Sequence, residues 1–142
     1  MKIQQTIRLV LFAVFLSSLG TAGAQSKKEI KEKGITVIKT YKQDIVNGEN
    51  EASLDEEEYF NADGELIEYK DYSDNGKRVK QWFRYTYDSN GNCIEEIELD
   101  AKGEVKERTV TMFEDGVKVM REYYDDKGRL TRIRKYEYGY SE

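Results

Sequence analysis

Carboxylates are the first side chains of this sequence with chemistry to offer. Glu95 and Glu96 are adjacent, and Glu56, Glu57 and Glu58 form a run. Two carboxylates held at the right separation can hydrolyse a glycosidic bond. Adjacent acids on a strand point to opposite faces, so these read mainly as solvated side chains, with a small carboxylate-dependent hydrolase as an alternative. The chain has no His, which removes the most common general base and metal ligand. Its one cysteine, Cys93, has no internal disulfide partner. Cys93 stands two residues after Gly91, where Leu66, Val105 and Leu130 stand after their own glycines. It therefore reads as a small hydrophobe on the packed face, sharing that face with Ile97 and Leu99, and the neighbouring Glu95 and Glu96 oppose a thiolate. Asp88-Ser89-Asn90-Gly91-Asn92 carries calcium-type oxygens. Calcium needs about six to eight oxygens converging on one point, and a turn explains the same residues, so neither metal nor cofactor is expected. The aromatic side chains remain: Trp82, Tyr85, Tyr87, Tyr123, Tyr124, Tyr136 and Tyr138, with Tyr140 beyond them. They read as cross-strand pairs holding a thin sheet together. Some of them read also as an exposed platform for a glycan or protein, since Tyr and Trp give rigid contact area at low entropic cost.

The elements that must position these residues announce themselves through glycine. Beyond the first 24 residues, Gly recurs at 34, 48, 64, 76, 91, 103, 116, 128 and 139, a spacing of 11 to 16 residues. The segments ending at Gly64, Gly76, Gly91, Gly103, Gly116 and Gly128 begin with Asn61, Ser73, Asp88, Asp100, Phe113 and Asp125. Five of those six openers have a side chain that accepts from the backbone of a type I turn, and the glycine fits its fourth position. A left-handed glycine there leads the chain into a bulge that follows the twist of the strands. Between turns the pattern has period two: Phe83, Tyr85 and Tyr87 alternate with Trp82, Arg84 and Thr86. The expected strands lie near 35–46, 52–61, 65–73, 77–88, 93–100, 104–113, 117–125 and 129–140. Short connections make consecutive strands antiparallel neighbours. The expected fold is thus all-β, an up-and-down meander of about eight strands in one open, twisted sheet. A small closed or half-closed barrel is the alternative. Charges such as Glu68, Glu107 and Arg121 interrupt the apolar rows and favour the open form.

Residues 1–24 read as a secretory signal peptide: Lys2 and Arg8, then an apolar run from Leu9 to Leu19, then Ala22-Gly23-Ala24. The run is too short to span a bilayer, and membrane insertion after cleavage is not expected. An exported, periplasmic or secreted protein follows. Residues 25–34 form a polar leader, with 25–33 read as solvated, and 35–142 form the hairpin domain. Asn47 to Glu58, rich in acids, reads as an exposed loop running into a strand. The whole chain carries a net charge of −5, and losing the leader removes two bases and no acid. Nucleic acid is therefore not an expected partner. Arg129, Arg132, Arg134 and Lys135 form a local basic group, read as solvated strand positions. Aliphatic residues are sparse, so Trp82 and the 11 tyrosines must supply much of the buried surface.

Tyr124-Asp125-Asp126-Lys127-Gly128-Arg129-Leu130-Thr131 resembles the YD repeat of Rhs-type proteins, in which Tyr-Asp and two variable residues precede Gly-Arg-Leu-Thr. Tyr87 to Asn92 is a partial copy, and Phe60–Leu66 and Asp100–Val105 are looser ones. The spacing is also similar to that of MORN-variant repeats. The resemblance, over roughly 59–138, implies hairpins stacked side by side and no catalytic residues. Large YD-repeat toxins form shells around a cargo, which a chain of this length cannot do. Some MORN-variant proteins are labelled antitoxins. The expected function is a non-enzymatic binding or structural module of the cell envelope, using an aromatic sheet face or an edge strand. Its expected partner is a protein, an envelope glycan or, through edge strands, another copy. A periplasmic immunity or antitoxin-like inhibitor is an alternative.

Overall fold

A computed structural model describes residues 25–43, 45 and 51–141. The signal-peptide expectation and Gly48 lie outside these residues. Eight strands follow one short helix: α1 (Lys27–Lys33), β1 (Val37–Lys42), β2 (Ser53–Phe60), β3 (Leu66–Ser73), β4 (Arg78–Tyr87), β5 (Cys93–Leu99), β6 (Val105–Glu114), β7 (Val117–Tyr124) and β8 (Leu130–Lys135). The strands lie in chain order in a single sheet, and every neighbouring pair is antiparallel. The sheet is open, so β1 and β8 each have one neighbouring strand. The open meander is the fold expected from the glycine spacing. Its last strand is shorter than expected. Beyond Lys135 the Tyr136 N–H still donates to the Val119 carbonyl (3.0 Å). Two residues on, it is the Tyr138 hydroxyl that donates to the Lys118 carbonyl (2.5 Å).

Four hairpins share one local device. The Asn61 Oδ1 accepts from the N–H groups of Asp63 and Glu65, both at 3.0 Å. Asp88, Asp100 and Asp125 repeat this with the residues two and four places on, at 2.8 to 3.0 Å. In each, the glycine N–H donates back to the opening residue's carbonyl. The two other glycine turns are built differently. Asp115 and Gly116 both have positive φ (49° and 78°), and Asp74, Asn75 and Gly76 form a run of three at 52°, 55° and 80°. Asp115-Gly116 carries the chain directly from Glu114 to its partner Val117, as a two-residue turn does when both positions are left-handed. Gly34 caps a helix rather than turning a hairpin, and Gly139 lies beyond the last strand.

Each of the seven hairpins has a bulge in its second strand. In β2–β3, Tyr59 faces Glu68 while Phe60 faces Leu66, leaving Ile67 as the extra residue. Ile94, Lys106 and Thr131 hold the same place in β5, β6 and β8. A bulge bends its strand and increases the local twist. It also reverses the count of which residue points where. Tyr87 faces Cys93 while Tyr85 faces Glu96, so Cys93 lies on the face of Glu96, not on that of Ile97 and Leu99.

The leader is not simply solvated. Ser26 and Glu29 form a reciprocal capping box, and Gly34 closes the helix with φ 62°. Ile30 is 2% exposed, the most buried large side chain among the described residues. The helix rests on the first Asx turn, with the Lys27 ammonium 2.7 Å from Glu65 and that of Lys31 2.9 Å from Asp63. A Cβ at Gly64 would fall 2.4 Å from the Lys27 carbonyl oxygen. The acidic segment runs into a strand as expected, β2 starting at Ser53, but Glu57 within it is buried rather than exposed.

Candidate functional site: an arginine cluster on the tyrosine face

Cross-strand pairing sorts the side chains into two faces. One carries Tyr69, Phe83, Tyr85 and Tyr123, with Thr109 and Thr111 between the longer side chains. Tyr69, Tyr123 and both threonines are buried. No second layer among the described residues covers them, so there the long neighbouring side chains do so. The other face carries Tyr59, Trp82, Leu99 and Tyr124.

The candidate aromatic platform is therefore divided. Tyr85 and Tyr87 stand with Tyr123 on the tyrosine face, whereas Trp82 and Tyr124 stand on the opposite one. Trp82 is held by its surroundings: its indole N–H donates to Glu68 Oε1 (2.7 Å), and the Lys70 ammonium lies 4.3 Å from the ring. The Tyr124 hydroxyl donates to Glu122 (2.6 Å). The Tyr87 hydroxyl donates to the Leu66 carbonyl (2.8 Å), and burial lifts its pKa to about 12. Tyr136 and Tyr138 pack past the end of β8 against Lys118. Cys93 is half-buried, with its thiol pKa pushed up by burial and by the charge of Glu96.

Along the tyrosine face, one row runs Tyr85, Glu96, Thr109, Tyr123, Arg132. The next row runs Thr111, Arg121, Arg134. Three guanidinium groups thus surround one buried tyrosine. Those of Arg132, Arg134 and Arg121 lie 3.8, 5.6 and 5.9 Å from the Tyr123 ring centroid. This is within reach of the attraction between a cation and a ring face. Arg121 also donates from Nε to Thr111 Oγ1 (3.2 Å). None of the three forms an ion pair with a carboxylate among the described residues. The four other arginines there all do: Arg78 with Asp74, Arg84 with Glu68, Arg108 with Glu95 and Arg129 with Asp125. The lysines of the cleft beside α1 are also spent, on Glu65, Glu32 and Asp63.

The acids gather further along the same face. Tyr69 donates to Glu56 Oε1 (3.0 Å), and the buried Glu56 Oε2 has no partner. Glu58 faces Tyr69, and Asp71 faces Glu56. Burial raises the carboxyl pKa of Glu56, Glu58 and Glu96 above the usual range, and Arg121 partly offsets this at Glu96. The tyrosine face is therefore acidic over β2–β5 and basic over β7–β8. Arg132 and Arg134 were visible in the sequence as part of a basic group. Arg121 was the missing member, and one hairpin's length back from Arg132 and Arg134 is the signal that points to it. Among known proteins, the chain matches no family model and no curated protein.

Proposed function

We propose that this chain is a non-enzymatic, exported binding module that takes an acidic protein partner on the β7–β8 end of its tyrosine face. The observation that carries this reading is the set of three arginines around Tyr123 that form no ion pair with a carboxylate among the described residues. Arg121 and Arg134 are directly opposed across the strands, a like-charge arrangement that costs stability. Among the described residues Glu96 is near enough to feel the charge of Arg121, yet no carboxylate forms an ion pair with any of the three, whereas each of the four other arginines has one. Carboxylates on a partner would relieve that repulsion, and guanidinium groups held against a ring are pre-organised to receive them. Export is supported by the charged, apolar and small-residue regions of residues 1–24. A kinship with YD-repeat and MORN-variant hairpin proteins is supported by the Asx turn and bulge recurring after Gly64, Gly91, Gly103 and Gly128.

The test compares the wild-type protein with the triple variant Arg121→Ser, Arg132→Ser, Arg134→Ser as bait for an envelope fraction. Half of that fraction is digested with protease beforehand. Wild type should capture a partner from the undigested half, in a salt-sensitive manner, and the variant should not. Equal capture by the variant would overturn the reading. Capture that survives digestion would too, by pointing to a glycan.

A further inference from the structure

We infer that β8 accepts an extended segment of another protein as a ninth strand, one that alternates acidic with aliphatic side chains. The inference rests on the reading of the arginine cluster as a surface for an acidic protein, and it adds the mode of binding. β8 has a strand on one side only, and all six of its residues are exposed. Alternate N–H and C=O groups of a terminal strand point away from its one neighbour and are open to pairing. No proline blocks them, because the chain has none.

The side chains state which strand would fit. Arg132 and Arg134 are two residues apart, roughly 6.5 Å along a strand, and share the face of Tyr123. A pairing strand places every second side chain at the same interval on that face, where carboxylates would meet the two guanidinium groups. The residue between them, Ile133, lies on the opposite face and is 47% exposed; Leu130 there is 49% exposed. The intervening positions of the added strand would cover this apolar surface.

A second copy of this chain does not meet the requirement. The only other free edge among the described residues is β1, and its charged residues are Lys39 and Lys42. Lys39 is already paired with Glu57, and β1 carries no acid, so it offers Arg132 and Arg134 no carboxylate. The acidic strands, β2 and β5, are both interior.

The experiment titrates the purified protein with three peptides and reads fluorescence anisotropy. The first peptide alternates Glu and Val over six residues. The second is the same peptide with alternate backbone nitrogens methylated, so that it cannot complete a ladder. The third has the same composition in two blocks. The alternating peptide should bind at least about tenfold more tightly than the other two, and Arg132→Ser with Arg134→Ser should weaken it by a similar factor. It should also slow amide exchange on the outer side of β8. Equal binding of the methylated peptide would overturn strand addition while leaving an acidic-partner surface intact. No binding of any peptide, with envelope capture retained, would overturn strand addition alone. Loss of both would overturn the two readings together.

Discussion

Glu58 lies on the tyrosine face between Ile38 of β1 and Tyr69 of β3. It makes no ion pair among the described residues. Burial, and then the charge of Glu56, raises its carboxyl above the usual range. Glu57, the preceding residue, points to the other face. Burial pushes its pKa up as well, but bonds from Lys39, Tyr72 and Tyr59 outweigh this and leave it below the usual value. The two neighbours therefore act on stability with opposite sign. For Glu58 the folded chain holds the proton more tightly than the unfolded chain. Its favourable contribution is complete below the unfolded value, about 4.3, and is lost as pH rises through the folded one. Glu58→Gln should therefore raise Tm at pH 7, and the gain should vanish in acid. For Glu57 the contribution is present above the unfolded value and is lost as pH falls through the lowered folded one. Glu57→Gln should lower Tm at pH 7, and that deficit should shrink in acid. Thermal unfolding of both variants between pH 3 and pH 7 checks the pair. A common sign at pH 7 would contradict the partner assignments. That adjacent acids alternate between faces was legible from period two. Which of them had found a cation was not, because Lys39 reaches Glu57 from another strand.

Turns were legible where their chemistry is local. Asn61, Asp88, Asp100 and Asp125 bond to backbone groups two and four residues on, so four or five residues of sequence contain the whole device. The turns at Gly76 and Gly116 were placed correctly but assigned the wrong type. Asn75-Gly76 and Asp115-Gly116 are the dipeptides that favour left-handed pairs, and that local signal outweighs the register of the repeat. The faces were harder to read. Each bulge resets the alternation, so a pattern counted through Cys93 lands on the wrong side. The helix left no periodic trace because Ile30 is its one buried residue. Its dependence on a turn can be tested directly. Gly128 has φ 72° and open space around a would-be Cβ, so Gly128→Ala should cost only left-handed strain, about 1–2 kcal/mol. Gly64 has φ 76°, and its Cβ would meet the Lys27 carbonyl as well. Gly64→Ala should cost more, because α1 must move off and expose Ile30, whose burial contributes about 1.5–3 kcal/mol. Urea unfolding measures both. Equal losses would mean that the helix does not depend on that turn.

At the scale of the whole molecule, the charge order across the strands bears on whether copies of this open sheet can join edge to edge. Eight alternating strands make β8 run opposite to β1. Two copies related by simple translation would then set β8 of one antiparallel to β1 of the next, continuing the meander. Such a contact is head-to-tail and does not close, which is the geometry of filaments. The β1 edge has lysines and no acid, and β8 has Arg132, Arg134 and Lys135, so no opposite charges meet across such a contact, although Glu57 already pairs with Lys39. If charge is what holds copies apart, reversing one edge should join them. Arg132→Glu, Arg134→Glu and Lys135→Glu together would set three acids against Lys39 and Lys42. Wild type should sediment as a monomer, and this variant should form concentration-dependent oligomers that added salt dissolves. Adding Lys39→Glu and Lys42→Glu would make both edges acidic and should restore the monomer. Oligomers that ignore the second pair of substitutions would show that another surface joins the copies. A monomeric triple variant would show that backbone geometry, rather than charge, protects the edge. The same triple variant should lose the acidic peptide, since it replaces the two guanidinium groups that would draw in the ninth strand.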